Sequence, residues 1–313
     1  MKKLLLALLV VALPALAAKY DPDQDRTALR QAAISANDAA ARAAAVPLVP
    51  ERSAEISADL DQSVVQADLA SNAAKSLETG AFKRAAEMAS ELAGHGAPAP
   101  AAATKDLGGA AAAQRERWKS LSKDHDDLLG RVNALPDSNA DKARLKSALS
   151  NSAASLAAAD ASLTRAEAGA AAMTTAVSEM ELAQKRAQAS NAELTAADSE
   201  VVRLDGALPP PVNEAKAATG LLGQEPQGPN RTRAGQKISV PRDITGQLFS
   251  AADRASNRAD DYRSRSAAFE RAQAAFDSAK NEAAGTPDVA KKALDDASST
   301  QDDVRARLDH LKP

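Results

Sequence analysis

The chain has 313 residues, with 39 Lys and Arg against 42 Asp and Glu, a net charge of −3 and no cysteine. This excludes disulfide staples, thiolate metal ligands and a thiol nucleophile. It also gives no global attraction to nucleic acid or to an anionic membrane. Alanine makes up about a quarter of the sequence and large apolar residues are sparse; because net charge is low and alanine is the best helix former, the composition predicts long helices rather than disorder.

The first residues, MKKLLLALLVVALPALAAKYD, read as a secretory leader. Lys2 and Lys3 precede an apolar run from Leu4 to Leu13, Pro14 breaks the run, and Ala15-Leu16-Ala17 fits the small-x-small cleavage pattern. The run is too short to cross a bilayer. The expectation is a cleaved signal over 1–18 and a periplasmic or secreted bacterial protein with no membrane span once it is removed. No cysteine follows the apolar run, so a lipoprotein-type attachment is excluded.

Residues 19–93 read as an N-terminal helical segment. Asp21, Asp23 and Asp25 resemble the start of a calcium loop, but Arg26 and Ala32 stand where that loop needs Gly and Glu. Acidic residues favouring a helix N-terminus are the better account. The first helix is expected to stop near Val46, before Pro47 and Pro50. A second is expected from Glu51 to about Ala93, with Ile56, Leu60, Val64 and Ala67 on one face and a kink at Thr79-Gly80. Residues 94–109, rich in Gly and Pro, read as a linker.

Residues 110–205 read as a helical hairpin. In its first helix Trp118, His125 and Val132 form one heptad row, and Leu121, Leu128 and Leu135 the other. Pro136 ends it, with Asp137 or Ser138 as the next cap. The next helix, about 138–205, would reach ~100 Å if unbroken. Its rows include Leu149, Leu156 and Leu163, then Ala170 and Val177. A second row runs from Leu145 through Met173 and Met180 to Leu194 and Val201. The first row turns polar at Gln184 and Asn191, where the seam is expected to weaken or shift.

Residues 206–242, rich in Gly and Pro, read as a flexible basic linker, with KISV as a short strand. Arg231, Arg233, Lys237 and Arg242 make it a candidate docking segment for an acidic partner or surface polymer, with a solvated linker as the plainer reading. Residues 243–313 form the C-terminal helical segment. Here Tyr262, Phe269 and Phe276 stand seven apart, and the same step reads Leu248 and Ala255 before them and Ala283, Ala290, Ala297, Val304 and Leu311 after them. An aromatic ladder for carbohydrate or peptide is the functional alternative. Rings filling gaps opposite alanine in a helix seam fit better, because the row continues as Ala, Val and Leu on both sides. The phase survives Gly285-Thr286-Pro287, which is expected only to kink the helix or insert a turn.

Three histidines offer no pair at metal-ligand spacing. His95 falls in a linker, His125 in a seam where it could act as a pH-sensitive element, and His310 near a helix end. Adjacent acid pairs such as Asp126-Asp127 and Asp302-Asp303 point about 100° apart on a helix and read as solvated faces. No catalytic, cofactor-binding or metal residue is assigned, and no cofactor is expected. The helix-seam set is Trp118, Leu121, Leu128, Leu149, Leu156, Leu163, Tyr262, Phe269 and Phe276.

The expected fold is therefore all-α: an elongated antiparallel bundle of long, Ala-rich amphipathic helices, coiled-coil-like, with a Gly/Pro-rich linker. The expected function is a non-enzymatic structural or scaffold component of the bacterial envelope, surface or coat. Its partner would be protein, either itself in a homo-oligomer or another envelope component. The alternative is a periplasmic adaptor or holdase-type chaperone that grips partner proteins between its helices.

Overall fold

The computed structural model describes residues 22–95, 99–224 and 227–311; the side chains of 94–105 and Gln227 are outside the description. Residues 1–18, which the sequence reading expects to be a signal, lie outside the described residues. The chain is all-α, with no strand among the described residues. Among the described residues seven helices follow in order: α1 (Asp23–Ala45), α2 (Ser53–His95), α3 (Ala99–Asn133), α4 (Lys142–Ala207), α5 (Pro209–Gly220), α6 (Gln227–Ala283) and α7 (Thr286–His310). A single 3-10 turn, Pro50–Arg52, leads into α2. The described residues divide into two compact units, one within 22–86 and 188–263 and the other within 87–187 and 264–311. Helices α2, α4 and α6 each contribute a segment to both.

In the first unit, side-chain pairs fix the helix directions. Arg42 meets Asp59, so α1 and α2 run antiparallel. Arg26 meets Asp260 and Arg30 meets Asp253, so α1 and α6 run antiparallel. Arg258 meets Glu193, bringing α4 against α6 near its middle. The core is narrow because alanine fills it: Ala33, Ala36, Ala40, Ala70, Ala74, Ala251, Ala252 and Ala255 are all fully buried. Small side chains let helix axes approach toward the lower end of the ~8–10 Å range. Leu29, Ile56, Leu60, Leu77 and Leu248 supply the larger volumes.

In the second unit α3, α4 and α7 form a three-helix stack. Leu128 and Val132 pack on Leu145, Leu149, Val304 and Leu308. Leu121 packs on Leu156, Ala159, Leu294 and Ala297, with Trp118 at the edge. Gln301 donates to the Leu121 carbonyl and to Ser152 Oγ, both at 3.0 Å, tying the three helices at one level. Gly169 lies against Ala283, and Ser152 against Gln301. The two contacts are 17 residues apart on α4 and 18 apart along α6 and α7, so α7 continues the path of α6 along α4. The sequence phase across Gly285 is thus kept. The break itself is real: Gly285 adopts φ 73°, a left-handed conformation that glycine enters without steric cost, and α7 starts afresh with Pro287 in its first turn.

Several boundaries differ from the sequence expectation, each for a local reason. Helix α2 is not broken at Thr79-Gly80 but runs from Ser53 to His95, since one glycine costs a helix only ~1 kcal/mol. Residues 99–109 are helix rather than linker, because Pro100 falls in the first turn, where no N–H partner is lost. Residues 206–224 and 227–242 are not a flexible linker. Pro209, Pro210 and Pro211 occupy the first turn of α5, and α6 begins at Gln227. KISV is helix within α6, not strand. Ala218, Leu222 and Ala234 pack together with Leu48, which fastens α5 to α6. Pro241 sits inside α6, buried, and forfeits one backbone hydrogen bond there. Between α3 and α4 the cap is Asn139, whose Oδ1 accepts the Asp141 N–H at 2.9 Å, rather than Asp137 or Ser138. Lys142 Nζ donates to the Leu135 carbonyl at 2.6 Å and closes the end of α3.

Candidate functional site

The residues singled out by periodicity fall in two places. Leu121, Leu128, Leu149, Leu156, Leu163, Phe269 and Phe276 are buried in the second unit, and Tyr262 is buried in the first. Tyr262 Oη donates to the Ala81 carbonyl at 2.9 Å. With all three rings inside, no aromatic ladder faces solvent. Trp118 is half-buried; its Nε1 donates to the Leu156 carbonyl at 2.9 Å and its face carries the Arg115 guanidinium, 5.5 Å from the ring centre. Arg115 also bonds Glu167, Asp160 and Thr164. Those bonds hold Glu167 below the usual carboxylate range and raise Arg115. Every polar group of this cluster is satisfied internally, so it fastens α3 to α4.

His125 is half-buried, and its Nδ1 is out of solvent with no hydrogen-bond partner. His310 is exposed in the last turn of α7. Among the described residues no group of three or more His, Cys, Asp or Glu could hold a metal ion. No helix among them is long and apolar enough to cross a membrane.

The basic stretch is not one patch. On a helix, Arg231 and Arg242 share a face, and Arg233 and Lys237 lie on another. Lys237 is spent on Glu214 of α5 at 2.5 Å. Arg242 lines an open depression of about 830 Å³ with Asn37, Glu200, Asp243 and Arg254. Acids and bases alternate there, so it has no single sign of charge.

The least expected feature is a polar row inside the first unit. The α4 row that turns polar at Gln184 and Asn191 does not shift; it continues inward in the same phase to Asp198 and Asp205. Asp198 is fully buried and neither carboxyl oxygen has a side-chain hydrogen-bond partner, with only the Glu78 backbone offering partial compensation. Burial, reinforced by the nearby Glu78, pushes its pKa up to about 8. Asp205, one heptad on, is also raised by burial, with Ser71 pulling the other way and Asp68 adding repulsion. Ser71 and Glu78 are seven apart on α2, so a polar row on one helix faces a polar row on the other. Ser256 of α6 is buried as well, its hydroxyl unpartnered. At neutral pH such a carboxyl holds its proton while the helices are closed and releases it when water enters. The signal was present in the sequence: two further heptad steps from Asn191 land on both acids.

No protein-family model, curated protein or solved structure matches the chain.

Proposed function

We propose that this chain is a non-enzymatic structural component of the bacterial envelope, surface or coat, exported by the leader-like segment at residues 1–18 and working as a spacer or scaffold that associates with itself or with another envelope protein. One observation carries the reading. Helix α4 continues for 66 residues without a break and buries seam positions along its length, from Leu145 and Leu149 to Val201 and Leu204. That architecture spends the sequence on helix length and seam register, and it leaves little side-chain volume for shaping an enclosed reaction site. The ion pairs along the helix surfaces are exposed and worth at most about 1 kcal/mol each, so register rests chiefly on the seams.

A second reading, a periplasmic adaptor or holdase, draws on the first unit. The register set by Arg30–Asp253 and Asn37–Thr245 brings exposed Ile34 level with exposed Phe249 across α1 and α6. Of the other exposed large apolar residues of that unit, Val65, Leu69 and Phe82 stand on α2 and Val240 on α6. Phe82 points about 100° or more away from Val65 and Leu69 around that helix, so α2 offers no continuous apolar face. The test combines fractionation of the producing cell with a client assay on the purified mature chain. Recovery outside the cytoplasm, with no suppression of aggregation of an unfolded client, is the expected result. Retention in the cytoplasm removes the envelope reading, and client protection at stoichiometric ratio transfers the assignment to the holdase.

A further inference from the structure

In the second unit, α4 and α6 enclose a surface groove of about 300 Å³ whose walls carry Arg186, Arg265 and Arg271. None of the three guanidiniums has an ion-pair or hydrogen-bond partner among the described residues, in a chain where Arg26, Arg30, Arg115, Arg117 and Arg305 all do. Glu179 also lines the groove and pairs with none of them. The floor is apolar, made by Ala183, Ala268 and Ala272, with Leu182 standing 48% exposed at the side.

The distribution of charge along the groove is uneven. The antiparallel register set by Gly169 against Ala283 brings Arg186 level with Arg265, and Glu179 level with Ala272. One end therefore presents two unneutralised guanidiniums. The other end holds Glu179 with Arg271. Between them lies ~10 Å of alanine and leucine surface, the rise of seven helical residues. Unpaired guanidiniums at a groove mouth suit a phosphate or carboxylate, which they bind through charge-assisted, often bidentate hydrogen bonds. The apolar floor suits a short hydrocarbon chain, and Glu179 at the far end disfavours a polyanion lying along the whole groove.

We propose that this groove binds a single-chain anionic amphiphile, its phosphate or carboxylate held between Arg186 and Arg265 and its chain laid over Ala183, Ala268 and Ala272 beside Leu182. The site stands on these contacts alone and does not depend on the structural role proposed above.

Calorimetric titration of the full mature chain tests it, with octyl phosphate as the probe and octyl glucoside, inorganic phosphate and polyglutamate as comparisons. The expected result is saturable one-to-one binding of octyl phosphate, no saturable binding of octyl glucoside or polyglutamate, and inorganic phosphate weaker by roughly tenfold or more, because the floor then contributes nothing. The double variant R186Q/R265Q weakens octyl phosphate by roughly tenfold or more, whereas Glu179→Gln does not weaken it. Both variants change exposed or half-buried side chains, and unchanged helicity and melting temperature verify that they fold. Leu182→Ser supplies an independent handle on the floor and weakens octyl phosphate without altering inorganic phosphate. The proposal is overturned if octyl glucoside or inorganic phosphate binds as well as octyl phosphate, if R186Q/R265Q binds like the parent chain, or if polyglutamate binds in its place. Co-sedimentation with phosphatidylcholine vesicles containing phosphatidic acid, without saturable binding of octyl phosphate, also overturns it.

Discussion

The phenolic hydroxyl of Tyr262 on α6 reaches the backbone carbonyl of Ala81 on α2 at 2.9 Å, with the ring itself 1% exposed. An alanine-lined seam leaves room for one large ring, and the ring brings a polar tip that needs a partner. Tyr262→Phe keeps the packing and loses only the bond, so it should cost about 1 kcal/mol. Tyr262→Ala removes the ring and should cost about 3–5 kcal/mol. Urea denaturation of the two variants separates the hydroxyl from the ring, and equal losses would refute the division.

Phe269 and Arg263 give a sharper contrast, because they are close in sequence and differ in burial. Phe269 is 0% exposed in the second unit. Arg263 forms a solvent-facing pair with Asp23 at 2.6 Å in the first. Phe269→Ala should lower stability by about 3–5 kcal/mol, and Arg263→Ala by at most about 1. Thermal melts followed by circular dichroism check this, and comparable shifts would place Phe269 outside the seam.

These two residues also show how much was legible beforehand. A strict seven-residue step finds Tyr262, Phe269 and Phe276 because burial on a helix repeats geometrically. The same step found Leu149, Leu156 and Leu163. It lost the helical character of residues 206–242, because proline and glycine counts do not reveal that three prolines fall in one first turn and that Pro241 is carried by neighbouring packing. Asp198 was missed for a different reason. A polar residue at a seam position looks like the end of a seam, and only the facing row on α2 shows that it stays inside. The three-arginine groove joins residues about eighty apart in sequence, and no local pattern connects them.

Gly169 tests the closeness of the seam. A methyl group built there would overlap the Cβ of Ala283, whereas nothing lies near one built at Gly130 of α3. Gly169→Ala should destabilise by about 1–3 kcal/mol through overpacking. Gly130→Ala should stabilise by up to about 1 kcal/mol through helix propensity. Opposite signs in one denaturation series are the expected outcome; two stabilised variants would mean that α4 and α6 are farther apart than described.

Asp198 links the interior to pH. Its carboxyl titrates at about 8 in the folded chain against an ordinary value of 3.8, so the native state holds a proton that the unfolded state has already lost. Stability from this group is fully present below 3.8 and declines as pH rises toward about 8. Asp198→Asn removes the titration. The parent chain should lose stability on the order of a few kcal/mol across that window, and the variant should be flat by comparison. Denaturation midpoints of both proteins at several pH values check the sign, and parallel profiles would show that Asp198 is hydrated.

The structural role proposed for the chain is tested most directly by forward X-ray scattering from the mature protein over a concentration series, which reports mass. A mass that rises with concentration, by steps of a whole chain, is what a self-associating scaffold predicts. A mass that stays at one chain across the series, together with protection of an unfolded client, would contradict it and leave the adaptor.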